Sequence, residues 1–284
     1  NLQEKQSTEA DKLKKEGKEF EARVEAFFGE FRQQMPFEYL DDYTKAYEKI
    51  DAVHHGPNDL VMTYSDGRTG PLGSVTEMQT AADDLRELQE LFELYQIEYR
   101  EINQCLKDSV QLKRVWDVIA MVQTIYMEWR NTKWNDINVE DLSDENKKLQ
   151  KEVKGCDKLV KNWPCYKGLE DAVKNMNTSL PLVEALHHPA MRERHWSQLM
   201  RACGMTFTMD ANFTFGGMLD LELHRFEDDV LEIVDRAQKE LTIEKQLQKL
   251  TETWKVQNLS FPPDPDNADL FLLAVDETVM EALE

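Results

Sequence analysis

Apolar residues recur at steps of three and four along most of this chain, the spacing that places them on one face of an α-helix. Leu13, Phe20, Val24, Phe27 and Phe31 form such a stripe and predict a helix over 8–34. Pro36 ends it and can open the next helix, because its missing N–H falls where a helix start leaves a donor unpaired. Leu40, Tyr43, Tyr47 and Ile50 predict a short second helix. Residues 51–75 are rich in glycine, proline and Asp/Asn/Ser and read as a long loop. Ser74-Val75-Thr76-Glu77 then reads as a capping box. Behind it runs the most regular stripe of the chain, Leu85, Leu88, Phe92, Tyr95, Tyr99, Ile102 and Leu106, followed by Leu112, Val115, Ile119, Val122, Tyr126 and Trp129. The polar stretch 107–110 between the two runs predicts an antiparallel helical hairpin, with one unbroken helix as the alternative.

Residues 131–138, with Trp134, form a connection. Leu142, Leu149, Val153, Cys156 and Val160 predict a helix over 139–161, ended by Trp163-Pro164. Another covers 166–180 and stops at Pro181; Pro189 starts the next, which carries Trp196, Leu199 and Met200 to Gly204. The β-branched and aromatic stretch 205–215 reads as extended or loop. A long helix over 218–254 follows, with Leu219, Leu223, Phe226, Val230, Ile233, Ala237 and Leu241, continued by Leu247, Leu250 and Trp254 after a phase shift. Then the period changes. Trp254, Val256, Leu259 and Phe261 on one side of Pro-Pro-Asp-Pro-Asp-Asn, and residues 270–275 on the other, signal a β-hairpin near 254–275. Residues 276–284 resume a helix. The fold class is therefore mainly α: an elongated array of stacked antiparallel helical hairpins and bundles, with one short β-hairpin.

Composition bounds what such an array does. The chain has 284 residues, 41% hydrophobic and 31% charged, a polar balance that fits a high surface relative to volume. The net charge of −21 argues against nucleic acid or an anionic membrane as partner, since phosphate binding needs clustered Lys and Arg. No apolar run approaches the length of a membrane span. The cysteines, Cys105, Cys156, Cys165 and Cys203, show no C-x-x-C spacing and read as free thiols. The chain opens at Asn1 and stops at Glu284 inside helical patterns, which reads as a fragment of something longer.

The motifs of catalysis are missing. There is no G-x-x-x-x-G-K-[ST], no H-E-x-x-H and no G-x-S-x-G, and the glycine-rich segment 66–73 has no lysine to reach a phosphate. His54-His55 and His187-His188 have no carboxylate or cysteine at ligand spacing, and Pro189 separates His188 from His195. Acidic pairs such as Asp83-Asp84 and Asp228-Asp229 read as solvated charge on helix faces. The aromatic stripes read as helix packing. No catalytic, cofactor-binding or metal-binding residue is assigned.

One stretch stands apart from this acidic helical background. Pro189-Ala190-Met191-Arg192-Glu193-Arg194-His195-Trp196 is a basic cluster directly after a proline. It resembles the signature of dynein heavy chains where the tail runs into the linker. Supporting matches are Trp129, Trp134 and Leu180-Pro181-Leu182-Val183 upstream, with Gly204-Met205-Thr206-Phe207, residues 219–229 and the Trp254 hairpin followed by Asp276-Glu277 downstream. The resemblance covers about residues 76–284, and residues 178–229 look closest to axonemal outer-arm heavy chains of cilia and flagella.

The resemblance implies a division into the last tail helices and loop (1–75), a helical bundle at the tail/linker start (76–180) and a linker subdomain with the β-hairpin (181–284). In that family the linker is a helical rod over a ring of AAA+ modules, bending and straightening with the ATP cycle. The parent would be a minus-end-directed microtubule motor and ATPase. Its ATP and magnesium sites would lie outside residues 1–284, leaving this segment non-catalytic and mechanical. The implied partners are the AAA+ ring of the same chain, neighbouring dynein heavy chains, intermediate and light chains, and microtubules through the parent. The implied place is the cytoplasm, in the axoneme of a cilium or flagellum. Pro189, Met191, Arg192, Arg194, His195 and Trp196 would form a structural corner: Arg192 and Arg194 tied to neighbouring helices by charge-assisted bonds, Trp196 packed beneath, and a hinge as the alternative. The competing reading is a non-motor, spectrin-like or tethering helical scaffold, which has no use for the hairpin.

Overall fold

The computed structural model describes residues 2–56, 60–63, 69–256, 261–267, 269–273 and 280. The chain is mainly α. Its elements are α1 (Leu2–Gln34), α2 (Tyr43–His55), β1 (Val61–Thr63), β2 (Thr69–Pro71), α3 (Val75–Leu91), α4 (Arg100–Arg130), α5 (Val139–Gly155), α6 (Pro164–Leu186), α7 (Glu193–Cys203), α8 (Phe215–Leu219) and α9 (Glu227–Val256). Single 3-10 turns lie at Trp134–Asp136, Lys158–Asn162 and Leu223–Arg225. The chain divides into two compact units, residues 1–177 with 214–216, and residues 178–213 with 217–284. No helix of the described residues is long and apolar enough to cross a membrane.

In the first unit the α1 stripe buries Leu13, Val24, Phe27 and Phe31. Phe20 meets Tyr99 edge-on with ring centroids 4.9 Å apart. Trp116 of α4 is fully buried, and its Nε1–H donates to the Pro36 carbonyl at 2.9 Å. That bond is one reason Pro36 opens no helix. The segment after it is held irregular by tertiary bonds, with Cys165 N–H on the Phe37 carbonyl (2.7 Å) and Gln123 Nε2 on the Leu40 carbonyl (2.8 Å). α2 starts only at Tyr43, capped by Asp42, whose carboxylate accepts from Thr44 N–H at 3.0 Å.

Residues 51–75 are not one loop. α2 runs on to His55, and β1 pairs antiparallel with β2 in the register Val61↔Pro71, Met62↔Gly70, Thr63↔Thr69. The Leu72 carbonyl accepts from Arg23 Nε at 3.1 Å and Nη2 at 2.6 Å, which fastens the end of β2 to α1. Residues 66–68 of the glycine-rich segment lie outside the described residues. The capping box is as expected: Glu77 N–H donates to Ser74 Oγ (3.3 Å) and Ser74 N–H to Glu77 Oε2 (2.8 Å).

The expected helical hairpin exists, with its break elsewhere. α3 ends at Leu91, and the chain turns through Glu93 at φ 54°. The buried Gln89 receives the turn: its carbonyl accepts from Leu94 N–H (2.8 Å) and its Oε1 from Ile97 N–H (3.2 Å). Tyr95, part of the apolar stripe in the sequence, is 87% exposed. Residues 107–110 lie inside the continuous α4. Asp108 is buried there because Gln104 donates to it at 2.7 Å and the Arg32 guanidinium of α1 stands 3.7 Å away.

α5, capped by Asn138, turns the buried Asn146 inward. Asn146 accepts from Tyr126 OH (2.5 Å) and donates to Asn177 Oδ1 (2.8 Å), which ties α5 to α4 and α6. Residues 214–216 complete this unit. Thr214 forms an antiparallel bridge with Lys133, Phe215 N–H donates to the Thr132 carbonyl at 2.8 Å, and Phe215 is fully buried. A Cβ on Gly216 would stand 2.9 Å from the Arg130 carbonyl oxygen, so only glycine fits.

In the second unit α6 does not stop at Pro181 but continues to Leu186. Leu180, Leu182, Val183 and Leu186 are all buried, and this packing outweighs the loss of one helical hydrogen bond at the proline. The helix expected over 218–254 is broken at its start. Glu222 takes a left-handed conformation (φ 49°), and Leu221 and Leu223 bury their side chains in that irregular turn. α9 begins at Glu227, where Glu227, Asp228 and Asp229 occupy the first turn and meet the positive end of the helix dipole. Trp254 and Val256, expected in a strand, are still helical. The expected hairpin survives as an antiparallel bridge Pro263↔Phe271, flanked by Asp264 N–H on the Leu270 carbonyl and Leu272 N–H on the Pro262 carbonyl, both 2.8 Å. Leu259 and the helix expected at 276–284 fall outside the described residues, apart from Met280.

Candidate functional site

The basic cluster builds the join between α7 and α9 in the second unit. α6 unwinds at His187 and His188, and His188 Nδ1 accepts from Ala190 N–H at 3.2 Å. Pro189 therefore sits in the turn between helices and starts none. Met191 N–H closes the turn on the His188 carbonyl at 3.0 Å. Arg192 follows in extended conformation (φ −118°, ψ 168°) as the residue that precedes α7.

An arginine side chain cannot accept a hydrogen bond, so α7 lacks the usual cap from that residue. The reciprocal half of a capping box is made instead by histidine: Arg192 N–H donates to His195 Nδ1 at 3.1 Å. That bond settles the tautomer. With Nδ1 accepting, Nε2 carries the hydrogen and donates to Glu240 Oε2 on α9 at 3.0 Å. His195 has no exposed surface.

The two arginines complete the clamp. Arg194 Nε donates to Glu240 Oε2 at 2.7 Å, and its Nη2 reaches both Glu240 and Glu244 Oε1, the latter at 3.2 Å. Arg192 Nη2 donates to Glu244 Oε2 at 3.4 Å. Glu240 and Glu244 stand one turn apart on α9, so their carboxylates face the same side. Arg236 of α9 returns the contact one turn away, donating to Gln198 Oε1 of α7 at 3.2 Å. The Arg194 hydrogen bond, with a smaller contribution from His195, holds the Glu240 carboxyl below the usual carboxylate range. Beneath the charges lies an apolar layer: Leu199 of α7 and Val230, Ile233, Val234 and Ala237 of α9 are buried.

Trp196 turns to the other side of α7. It is half-buried and meets Phe207 edge-on at 6.3 Å, and Phe207 stacks on Phe213 at 5.4 Å. α7 ends at Gly204 in the left-handed conformation (φ 69°), which glycine adopts without strain. The geometry thus brings Arg192, Arg194 and His195 together on Glu240 and Glu244, while Pro189 and Met191 shape the turn and Trp196 packs elsewhere. Neither glutamate was singled out in the sequence. Their spacing of four on a helix was legible, but nothing there pairs them with residues nearly fifty positions away.

Charge-paired, partly exposed carboxylates around a buried imidazole that is already doubly bonded make a structural clamp. The imidazole has no free nitrogen to move a proton for a substrate. Among the described residues no group of three His, Cys, Asp or Glu side chains could hold a metal ion. The cysteines are free, and burial pushes all four thiols up, Cys105 to about 12 and Cys165 to about 11, so none is a reactive thiolate at neutral pH.

Comparison with known proteins identifies the family. Residues 102–284 match the family model described as dynein heavy chain, N-terminal region 2. The chain is 41% identical over 285 residues to the dynein beta chain, flagellar outer arm, of Chlamydomonas reinhardtii. It is 35% identical over 279 residues to dynein axonemal heavy chain 9 of Homo sapiens, and 36% identical over 283 residues to the Chlamydomonas dynein alpha chain, flagellar outer arm. Each alignment covers 98% of this chain and 6% of the relative. With a family model matched over more than half of its length, this chain belongs to the dynein heavy chain family.

Proposed function

We propose that this chain is a mechanical, non-catalytic segment of an axonemal outer-arm dynein heavy chain, lying where the tail meets the linker. It passes the ATP-driven swing of the linker over the AAA+ ring to the tail of a minus-end-directed microtubule motor. The observation that carries the reading is the clamp of Arg192, Arg194 and His195 on Glu240 and Glu244. It crosses between two helices, sits on a buried apolar layer and leaves no group free for chemistry. Packed helices locked by directional bonds resist sliding, and they move between discrete arrangements instead of deforming smoothly.

The partners that follow are the AAA+ ring of the same chain, neighbouring heavy chains, intermediate and light chains, and microtubules through the parent. The place that follows is the axoneme of a cilium or flagellum. We place residues 1–75 with the tail, 76–180 at the tail/linker start and 181–284 in the linker. ATP and magnesium belong to the parent: no phosphate-loop sequence occurs in residues 1–284, and no step here runs through a nucleotide.

The test uses outer arms carrying the full heavy chain with Arg192→Ala and Arg194→Ala together. Microtubule gliding should slow while ATP hydrolysis by the same arms persists. Unchanged gliding, or gliding and hydrolysis lost in proportion, would remove the mechanical reading.

A further inference from the structure

Residues 148–161 of the first unit carry five lysines against two acids, within a chain whose net charge is −21. Lys148, Lys151 and Lys154 stand on the second half of α5, and Lys158 and Lys161 on the 3-10 turn behind it; all five are exposed. Lys161 Nζ donates to the Lys154 carbonyl at 3.2 Å, which holds that turn against the end of α5. Val160 of the turn is buried, while Leu159 is pushed outward between Lys158 and Lys161 and is 72% exposed.

On the long helices α1, α4 and α9, Lys15, Lys113 and Lys239 each pair with an acid one turn away. On α5 that spacing is taken by lysine itself, from Lys148 to Lys151 to Lys154, and like charges so placed destabilise a helix. Lys148, Lys151, Lys154 and Lys158 make no ion pair among the described residues, and Asp144 is taken by Lys147. The helix dipole favours Lys154, which lies in the last turn, but its effect does not extend to Lys148 or Lys151. The fold thus keeps an unneutralised basic island on an acidic surface, and the island attracts anions. Lysine ammoniums on flexible stems form no fixed fork, so they suit a run of carboxylates better than one closely fitted anion. Interactions between exposed charges fade over about 8 Å at physiological salt, so a short acidic segment on the island feels chiefly its lysines. A membrane or a duplex is wider than the island and meets the acids around it, beginning with Glu140 and Asp141 on the same helix.

We propose that the end of α5 and the turn after it dock a short acidic segment of a partner protein, with one apolar side chain among its acids. The carboxylates lie over Lys148, Lys151, Lys158 and Lys161, and the apolar side chain covers Leu159. Glu170 and Asp171, which line a groove together with Lys154, keep the segment off the α6 side. This docking does not depend on the mechanical reading of the second unit. The charges speed encounter and select the partner, and the leucine adds an apolar contact.

The probes are two capped peptides, acetyl-Glu-Glu-Glu-Leu-Glu-Glu-Glu-amide and the same peptide with Lys for every Glu, titrated into the 284-residue chain with leucine methyls labelled for NMR. At about 50 mM salt the Glu peptide should shift the Leu159 methyls saturably and leave those of the buried Leu149 in place. The Lys peptide should shift neither, and about 500 mM salt should abolish the response. Lys151→Glu with Lys158→Glu, at two exposed positions outside any ion pair, should weaken the Glu peptide about tenfold, the scale of two exposed charge pairs turned to repulsion. The same charge change on α1, Lys5→Glu with Lys18→Glu, should weaken it by less than about twofold. No shift at Leu159, or an equal loss from both pairs of substitutions, overturns the proposal. So does equally tight binding of phosphatidylserine vesicles or of a DNA duplex, which would give the island to an extended polyanion. Methyl shifts that follow protein concentration alone would give it to a second copy and likewise overturn it.

Discussion

His195 Nε2 donates to Glu240 Oε2 at 3.0 Å from a ring that has no exposed surface, while its Nδ1 accepts from the N–H that opens its own helix. One side chain therefore caps α7 and anchors it to α9. Replacing His195 by Leu keeps the apolar volume but leaves the Arg192 N–H unpaired and removes the bond to Glu240. It should cost about 2–3 kcal/mol. His195→Asn offers an acceptor in place of Nδ1 and should cost less. Chemical denaturation of both variants, read together with amide exchange in α7, checks the order.

Glu240 gives the clamp a pH dependence. Its folded pKa lies below the unfolded one, so its contribution is present above the unfolded carboxylate value of about 4.3 and is lost as pH falls through the folded value. Amide protection in α7 should fall as the pH drops below about 4.3. Glu240→Gln should lower protection at neutral pH and remove that dependence. A Glu240→Gln profile parallel to the parent's would contradict it.

His54 acts in the same direction through burial. Its folded pKa is lowered, so the unfolded chain binds a proton first as pH falls below about 6.5, and stability of the first unit drops from there. His54→Gln should flatten the fall in that unit's melting temperature below about pH 6.5. An undiminished slope would place the dependence on another group.

Pro181 lies within α6 with helix on both sides. If the proline only interrupts the hydrogen-bond ladder, Pro181→Ala should stabilise the chain by up to about 3 kcal/mol. A lower melting temperature would mean that the surrounding leucines are packed on a bend that alanine straightens.

The apolar stripes of α1, α4 and α9, the Ser74 capping box and the Gly204 stop follow from local chemistry, since spacing and capping act within a few residues. So did the family resemblance of residues 189–196, a run of residue types that needs no coordinates. The breaks were another matter. The stripe through Tyr95 promises helix, yet the chain turns there, with Gln89 accepting from the N–H groups of Leu94 and Ile97. Residues 107–110 looked like a joint, yet they are helical because Asp108 meets Gln104 and Arg32. Pro36 ends the first helix as its chemistry predicts, whereas Pro181 lies inside α6, where the packing of the surrounding leucines decides.

By itself the sequence determined that this chain is helical, acidic and without the motifs of catalysis, because periodicity, net charge and motif spacing are properties of neighbouring residues. The tertiary structure alone decided what the basic cluster is for. Arg192, Arg194 and His195 acquire a role only when folding brings Glu240 and Glu244 against them, and no local propensity records a pairing that distant in the chain.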